Sequence, residues 1–492
     1  MVKKSRVFWI FFMVLAVFLL SVCSKKKSTK PEPTTDKWTI LGYFDGNNQQ
    51  DRDTSTNGSY VIQDVQEMEQ IGSTENVRII VMLGSVKTEG NSNYYLIEKQ
   101  LGEPPTDSIR SKVLKSLDKP DMSNPETLKK FIEYGVEHYP ADHYMLIIND
   151  HGSGWRGVCS DSFSQDGEGE MMTLPELSSH ALALPDYKFD IIVFNAPSMS
   201  MVEVAYQLKD RAEYLVASQY RDFKRNILGF PIWLKDLTNN PNISIESLAS
   251  NIATAIHTTA GSLIGISAID LSKIDALTSK IADFGRLLVS RIGDYQSQVV
   301  DARGNLGDFP HFPTYYFDLR TFCQNIQDST NLDSAIKGAA RAVENANDMA
   351  VIKRLNYPNL DYGGLCIHFP LESEDFDSTD YVQLAFTVSN WHIFLSEYIK
   401  AYAEVNLFGS LRIVSSPVKG AWIFLDGDST GLKTDTTIHG IPEGEHRVKL
   451  TKEGYWDREY RAYVFAGDTT EYKFGFGYEG FPLIEEAYLD YR

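Results

Sequence analysis

Cysteine is scarce in this chain: Cys23, Cys159, Cys323 and Cys366 are the four among 492 residues. None stands in CxxC spacing, which removes the common zinc and redox motifs. Three lie beyond the N-terminal leader, so the body can form at most one disulfide, and no disulfide framework holds it together. Positive charge is also short, with 47 Lys and Arg against 66 Asp and Glu and a formal net charge of −19. The basic residues are dispersed among acids, so no patch invites a polyanion, and nucleic acid is not an expected partner. The chain has no glycine-rich phosphate loop, no HExxH helix and no evident internal repeat. Apolar residues are plentiful, at 43% hydrophobic and 12% aromatic, enough for two or three folded units over this length.

The N-terminus is a leader rather than part of the fold. Lys3, Lys4 and Arg6 precede an apolar run from Val7 to Val22. Leu20-Ser21-Val22-Cys23 resembles a bacterial lipoprotein box, with Val22 where a small residue is usual. That resemblance implies removal of residues 1–22 and lipidation of Cys23. The alternative is an uncleaved anchor helix, although Lys25, Lys26 and Lys27 make both flanks positive. Either way the body is expected outside the cytoplasm, attached to a membrane of a bacterial cell envelope. Residues 23–36 are polar and proline-containing, and read as a tether.

From Trp38 onward apolar strands alternate with amphipathic helices, which implies an α/β unit with a mostly parallel sheet over residues 37–405. Strands are expected at 38–44, 77–83, 144–148, 189–194 and 213–218, and helices at 125–138, 199–209, 244–260 and 271–292. Beyond residue 406, short β-rich runs are broken by Pro, Gly and Asp turns, which predicts a small all-β sandwich at 408–475. Ser416-Pro417, Asp426-Gly427, Ile441-Pro442-Glu443-Gly444 and Lys452-Glu453-Gly454-Tyr455 give it a resemblance to PEGA domains. This implies a binding or spacer module of the envelope. Residues 476–492 form an aromatic, acidic tail with no assignment.

The chemistry centres on His151. A buried strand ends there, and Gly152-Ser153-Gly154-Trp155 follows. Parallel sheets present functional groups at the carboxyl ends of their strands. A histidine at that place can polarise a carbonyl or move protons, and a glycine N–H can face a developing oxyanion. By itself the pattern also fits a histidine bonded to loop backbone.

The surrounding sequence resembles the clostripain family of cysteine peptidases, which belongs to the caspase-like group. The resemblance spans about residues 38–400 and rests on the Pro125 helix start, Tyr139-Pro140-Ala141-Asp142 and His151-Gly-Ser-Gly-Trp155. Leu174-Pro-Glu-Leu177, Gly363-Gly364-Leu365, His368-Phe369-Pro370 and, more loosely, Asn47-Asn48 add to it. It implies a caspase-like sheet flanked by helices, His151 as the catalytic histidine, Gly152 as oxyanion donor, and a nucleophile in a run like Asp-Ala-Cys-Leu-Met-Gly at the next strand end. Here that run is Asn195-Ala196-Pro197-Ser198-Met199-Ser200, and Met201-Val202-Glu203-Val204 after it keeps the register.

Pro197 thus stands in the cysteine position. Proline carries neither thiolate nor N–H, so it is neither nucleophile nor oxyanion donor. Asn195 replaces an aspartate, and Tyr220 another acid, that by resemblance would shape a pocket for a basic residue. Gly229-Phe230-Pro231 still resembles the pocket loop. Ser198 is the nearest substitute nucleophile, although a serine ahead of a helix is also a cap. Cys159 reads as a partly buried loop thiol, and Cys323 and Cys366 as core. Asp161, Asp166, Glu168 and Glu170 offer oxygen ligands to calcium, but without EF-hand spacing, so a solvated acidic loop and no cofactor are expected. The sequence therefore points to a membrane-tethered pseudopeptidase that binds a peptide or protein. The alternative is an active peptidase that uses Ser198, or another thiol, with His151.

Overall fold

The structure, a computed structural model, describes residues 37–48, 51–53, 58–102, 107–162, 171–184, 188–219, 227–304, 315–370, 376–404, 408–416, 418–455, 457–465, 469–475 and 488–489. Nine strands form one sheet: β1 (Trp38–Gly46), β2 (Val77–Ser85), β3 (Ser92–Leu96), β4 (Lys112–Leu117), β5 (His143–Asn149), β6 (Phe189–Asn195), β7 (Ala212–Ala217), β8 (Ile266–Asp270) and β9 (Val351–Leu355). Their order is β9-β8-β7-β6-β5-β1-β2-β3-β4. The five central strands, β7-β6-β5-β1-β2, run parallel. Two antiparallel strands extend each side.

The parallel strands are covered on both faces, so they read as continuous apolar runs with their polar residues at the ends. From β1 the chain moves to β2 on one side, and later returns through β5 to β7 on the other. The strand order reverses between β1 and β5, and in open α/β sheets such a reversal is where ligands bind, outside the carboxyl ends of the strands.

The covering helices are α1 (Tyr60–Ile71), α2 (Pro125–His138), α3 (Val202–Leu208), α4 (Phe230–Asn239), α5 (Ile245–Thr259), α6 (Ile274–Gly304), α7 (Leu319–Asp328), α8 (Ser334–Ala350) and α9 (Trp391–Glu404). Helix α2 shows why its boundaries were legible. Asn124 accepts from Glu126 N–H, Pro125 opens the first turn, and Leu128, Phe131 and Ile132 face the core. Gly135 lets it approach the sheet, since a Cβ there would stand 2.4 Å from Leu41 Cδ2.

Two expectations change. The helix expected from residue 199 begins at Val202, with Met201 before it and no side-chain cap. Ser198 is therefore not a cap; its φ of +59° bends the chain between strand and helix. The helix expected to stop at 292 runs to Gly304, across a non-helical break at Tyr295.

The C-terminal β region contains β10 (Phe408–Ser416), β11 (Trp422–Leu425), β12 (Asp428–Lys433), β13 (Thr436–Pro442), β14 (Gly444–Thr451), β15 (Arg458–Val464) and β16 (Thr469–Gly475). One sheet joins β13-β10-β16 and a short strand Tyr488–Leu489, and the other joins β12-β11-β14-β15. Leu411, Ile413, Ile423, Val448, Leu450, Val464 and Phe474 fill the space they enclose. Among the described residues no helix is long and apolar enough to cross a membrane.

Candidate functional site

Three strand ends meet at the reversal point. Asn149 at the end of β5 pairs in register with Asn195 at the end of β6 and with Phe44 on β1. Asp150-His151-Gly152 leaves β5 beside Ala196-Pro197-Ser198 leaving β6. The contact between these turns requires glycine: a Cβ on Gly152 would stand 2.3 Å from the Pro197 carbonyl oxygen. Gly152 also faces Val158 in an isolated antiparallel bridge. That bridge uses His151 O, which accepts from Cys159 N–H at 3.1 Å, and Ser153 N–H, which donates to Gly157 O at 3.0 Å. It does not use the Gly152 N–H, the group that the resemblance assigns to the oxyanion.

His151 and Pro197 are both half-buried at this junction. Ser198 is only 2% exposed, so its hydroxyl is not offered to an incoming chain. The described cysteines are free thiols and all are buried. Burial pushes each thiol well above its ordinary pKa, and for Cys159 the neighbouring Asp150, Asp45 and Asp161 add to this. Cys159 is fully enclosed in a short strand, where the sequence had suggested a partly buried loop. Among these thiols, none has the electropositive setting that favours a thiolate.

A group of carboxyls lies beneath the His151 turn. Asp150 accepts from Asn48 Nδ2 at 2.7 Å and from the Ser160 N–H. Asp161 accepts from Asn47 Nδ2 at 3.0 Å and from Met122 N–H at 2.9 Å. Asp45 accepts from Asn47 N–H at 3.1 Å. Burial raises Asp45 well above the carboxylate range, and the charges of Asp150 and Asp161 push it further. Burial also pushes Asp150 up to about 8, against the lowering effect of its N–H donors. Like charges this close cannot all ionise, so the group retains protons at neutral pH. Only the position of Asp150 beside His151 hinted at this arrangement in the sequence.

Asn195 donates to Asn149 Oδ1 at 3.0 Å, and Asn149 Nδ2 donates to Asp64 Oδ2 at 2.8 Å. A carboxyl group thus lies two hydrogen bonds from the position where the resemblance expects an aspartate. Burial raises Asp64 well above its ordinary pKa, and the charge of Glu67 adds to the effect. Tyr220 lies outside the described residues. Next to it, Gln219 Nε2 donates to Asp318 Oδ2 at 2.8 Å, anchoring the end of β7. Gly229 has φ +66° and precedes α4; a Cβ there would stand 3.0 Å from Ala255 backbone, so its glycine serves helix packing.

The wall beyond Gly152 is aromatic. Tyr316 OH donates to Ser153 O at 2.6 Å, and the Arg156 guanidinium lies over the rings of Trp155 and Tyr315 at 4.8 and 5.0 Å. Trp155 packs on His368, with ring centroids 5.2 Å apart. The sequence motif containing His368 pointed to a strand, which the structure places at Cys366–His368. Its packing against the His151 loop joins segments more than 200 residues apart, and no local pattern encodes that.

The described residues do not fit a calcium site. Asp161 is buried and spends its Oδ2 on two N–H donors. No group of three His, Cys, Asp or Glu among the described residues is placed to hold a metal. Asp166, Glu168, Glu170 and Cys23 lie outside the described residues.

Comparison with known proteins extends over most of the chain. The model of the clostripain family, Peptidase C11, matches residues 45–476. Clostripain of Hathewaya histolytica is 26% identical over 403 residues, which is 67% of this chain and 72% of that protein. An inactive zymogen C11 protease from Parabacteroides distasonis superimposes with a TM-score of 0.52 at 23% identity, covering 73% of this chain and 99% of that one. A secreted C11 cysteine protease from Bacteroides thetaiotaomicron, solved with an irreversible peptide inhibitor, gives 0.53 at 21% identity, covering 72% and 99%. The mostly parallel sheet, its flanking helices and the extent of the family match lead to one assignment: this chain belongs to the clostripain family.

Proposed function

We propose that this protein is a membrane-tethered pseudopeptidase outside the cytoplasm, which binds a peptide or protein in the crevice between His151, Gly152 and Asn195. The observation that carries this reading is Pro197, whose backbone packs directly on Gly152 at the strand end where the family places its nucleophile. The buried cysteines supply no replacement thiol. The Gly152 N–H and the Asn195 amide are the polar groups for a bound backbone and an anchoring side chain. Lipidation of Cys23 supplies the tether, and the PEGA-like β region spaces the crevice from the membrane or adds a second contact.

The alternative, hydrolysis through Ser198 and His151, has one observation in its favour. The left-handed backbone of Ser198 between strand and helix is the kind of turn that carries a serine nucleophile in other folds. Its burial weighs against this.

The test uses the whole chain with a panel of fluorogenic peptides. The expected result is binding without turnover, with affinity reduced by about tenfold or more in Gly152→Val, which wedges apart the two turns that meet at Pro197. Turnover that disappears in His151→Ala overturns the proposal and supports the Ser198 alternative. Fatty-acid labelling in the native host should be lost in Cys23→Ala.

A further inference from the structure

Behind the His151 turn lies an enclosed set of rings that plays no part in the peptide-binding reading. Trp155, His368 and Tyr381 face one another, with centroid separations of 5.2 Å for Trp155 and His368, 5.1 Å for Trp155 and Tyr381, and 5.3 Å for His368 and Tyr381. Glu203, in the first turn of α3, reaches this set with its carboxyl. Its Oε1 accepts from the His368 N–H and from Tyr381 OH, both at 2.8 Å. Trp391 Nε1 donates to His368 O at 2.8 Å from another side.

Three polar atoms here have no hydrogen-bond partner: Trp155 Nε1, His368 Nε2 and Glu203 Oε2. Their residues are at most 3% exposed. Unpaired buried polar atoms are rare in native proteins, and three in one ring cluster call for a common partner.

The chemistry of the three atoms defines that partner. His368 Nδ1 faces the Tyr315 carbonyl oxygen at 3.1 Å, so Nδ1 carries the hydrogen. Burial, then the charge of Arg156, pushes His368 well below its ordinary pKa and keeps the ring neutral, which makes Nε2 an acceptor. Trp155 Nε1 can only donate, whereas Glu203 Oε2 accepts when the carboxyl is ionised and can donate when it is protonated. The partner must accept from Trp155, donate to His368, and be able to do either with Glu203. An ammonium ion cannot accept from Trp155, and a halide cannot donate to His368. Water does both, and three hydrogen bonds is the usual number for an internal water.

We infer that Trp155, His368 and Glu203 bind one internal water. It ties the loop after His151 to the helix after Pro197 and to the strand Cys366–His368. The two turns that form the crevice are then joined at their backs as well as at the Gly152 contact, and the water acts on peptide binding only through their position.

The test is a high-resolution crystal structure of the full chain, together with water ¹⁷O relaxation dispersion of wild type, His368→Phe and Trp155→Phe. The expected density peak lies about 2.7–3.2 Å from all three atoms. The dispersion amplitude should fall by one long-lived water in His368→Phe, and peptide affinity should drop severalfold with circular dichroism unchanged. Absence of the peak, or a direct Trp155 Nε1 to Glu203 Oε2 hydrogen bond, overturns the inference. An unchanged amplitude in a folded His368→Phe or Trp155→Phe protein also overturns it. The wild-type density decides the matter even if a variant fails to fold.

Discussion

At the scale of single residues, the crevice is defined by two that cannot be exchanged freely. Pro197 stands at the expected nucleophile position without disturbing the turn, since the carbonyl it presents to Gly152 belongs to the backbone. Pro197→Cys should therefore fold and gain a thiol beside His151. We expect this variant to be labelled stoichiometrically by a peptide acyloxymethyl ketone, with much slower labelling in Pro197→Cys/His151→Ala. Wild-type protein should remain unlabelled, because burial keeps Cys159, Cys323 and Cys366 protonated and out of reach. Mass spectrometry of the adducts reads both outcomes, and native labelling of Cys159, Cys323 or Cys366 would contradict the buried-thiol assignment. Gly152→Ala drives a methyl group into the Pro197 carbonyl. It should cost about 1–3 kcal/mol in urea unfolding, the usual range for overpacking. A neutral Gly152→Ala would mean that the two turns are not in contact.

At the scale of elements, the site is held from its rim. Asp318 precedes α7 and accepts from Thr321 N–H at 2.8 Å, from Gly363 N–H at 2.9 Å and from Gln219 at 2.8 Å. One buried side chain thus joins a helix start, the Gly363-Gly364 turn and the end of β7. Asp318→Ala should destabilise the protein by about 2–4 kcal/mol, combining a lost cap with donors left unpaired. Asp318→Asn, which keeps one acceptor, should cost less. Chemical denaturation distinguishes the two, and equal costs would argue against the shared-acceptor role. The parallel strands and α2 were legible beforehand because each carries its own signal: a continuous apolar run, or an Asn-Pro start followed by helical spacing. The outer antiparallel strands β3, β4, β8 and β9 were not. Lys112–Leu117 is largely exposed and alternates poorly, since an edge strand draws its pairing from a neighbour rather than from a buried face. The assignment of Ser198 as a cap failed for a related reason. Serine before a helical run is the right local pattern, but packing of Met199 and Met201 into the core carries the chain three residues further before the helix starts.

At the scale of the whole molecule, buried acids set the response to pH. Asp150 is pushed up to about 8 and Glu203 up to about 7, so the fold holds protons that an unfolded chain releases near pH 4. Where the folded state binds more protons, stability falls as pH rises. His368 acts in the opposite sense, because its lowered pKa makes stability fall as pH drops below about 6.5. Between pH 6.5 and 8 the carboxyls dominate. Unfolding free energy should therefore decrease across that interval, with a slope of up to about 1.4 kcal/mol per pH unit for each retained proton. Asp150→Asn and Glu203→Gln should each flatten it. Stability that rises over the same interval would show that these carboxyls are already ionised in the fold.

The sequence by itself determined the fold class, the family and the presence of proline where the family resemblance expects the nucleophile. Each rests on short-range patterns: apolar runs, glycine turns, and a helix register that places Pro197 without reference to distant residues. Tertiary structure decided what surrounds His151. The carboxyls of Asp45, Asp150 and Asp161, the relay from Asn195 through Asn149 to Asp64, and the enclosure of Trp155 by His368 and Tyr381 all join residues from separate strands and loops. Burial and hydrogen bonding between such segments depend on strand order, and the reversal between β1 and β5 is what brings them together.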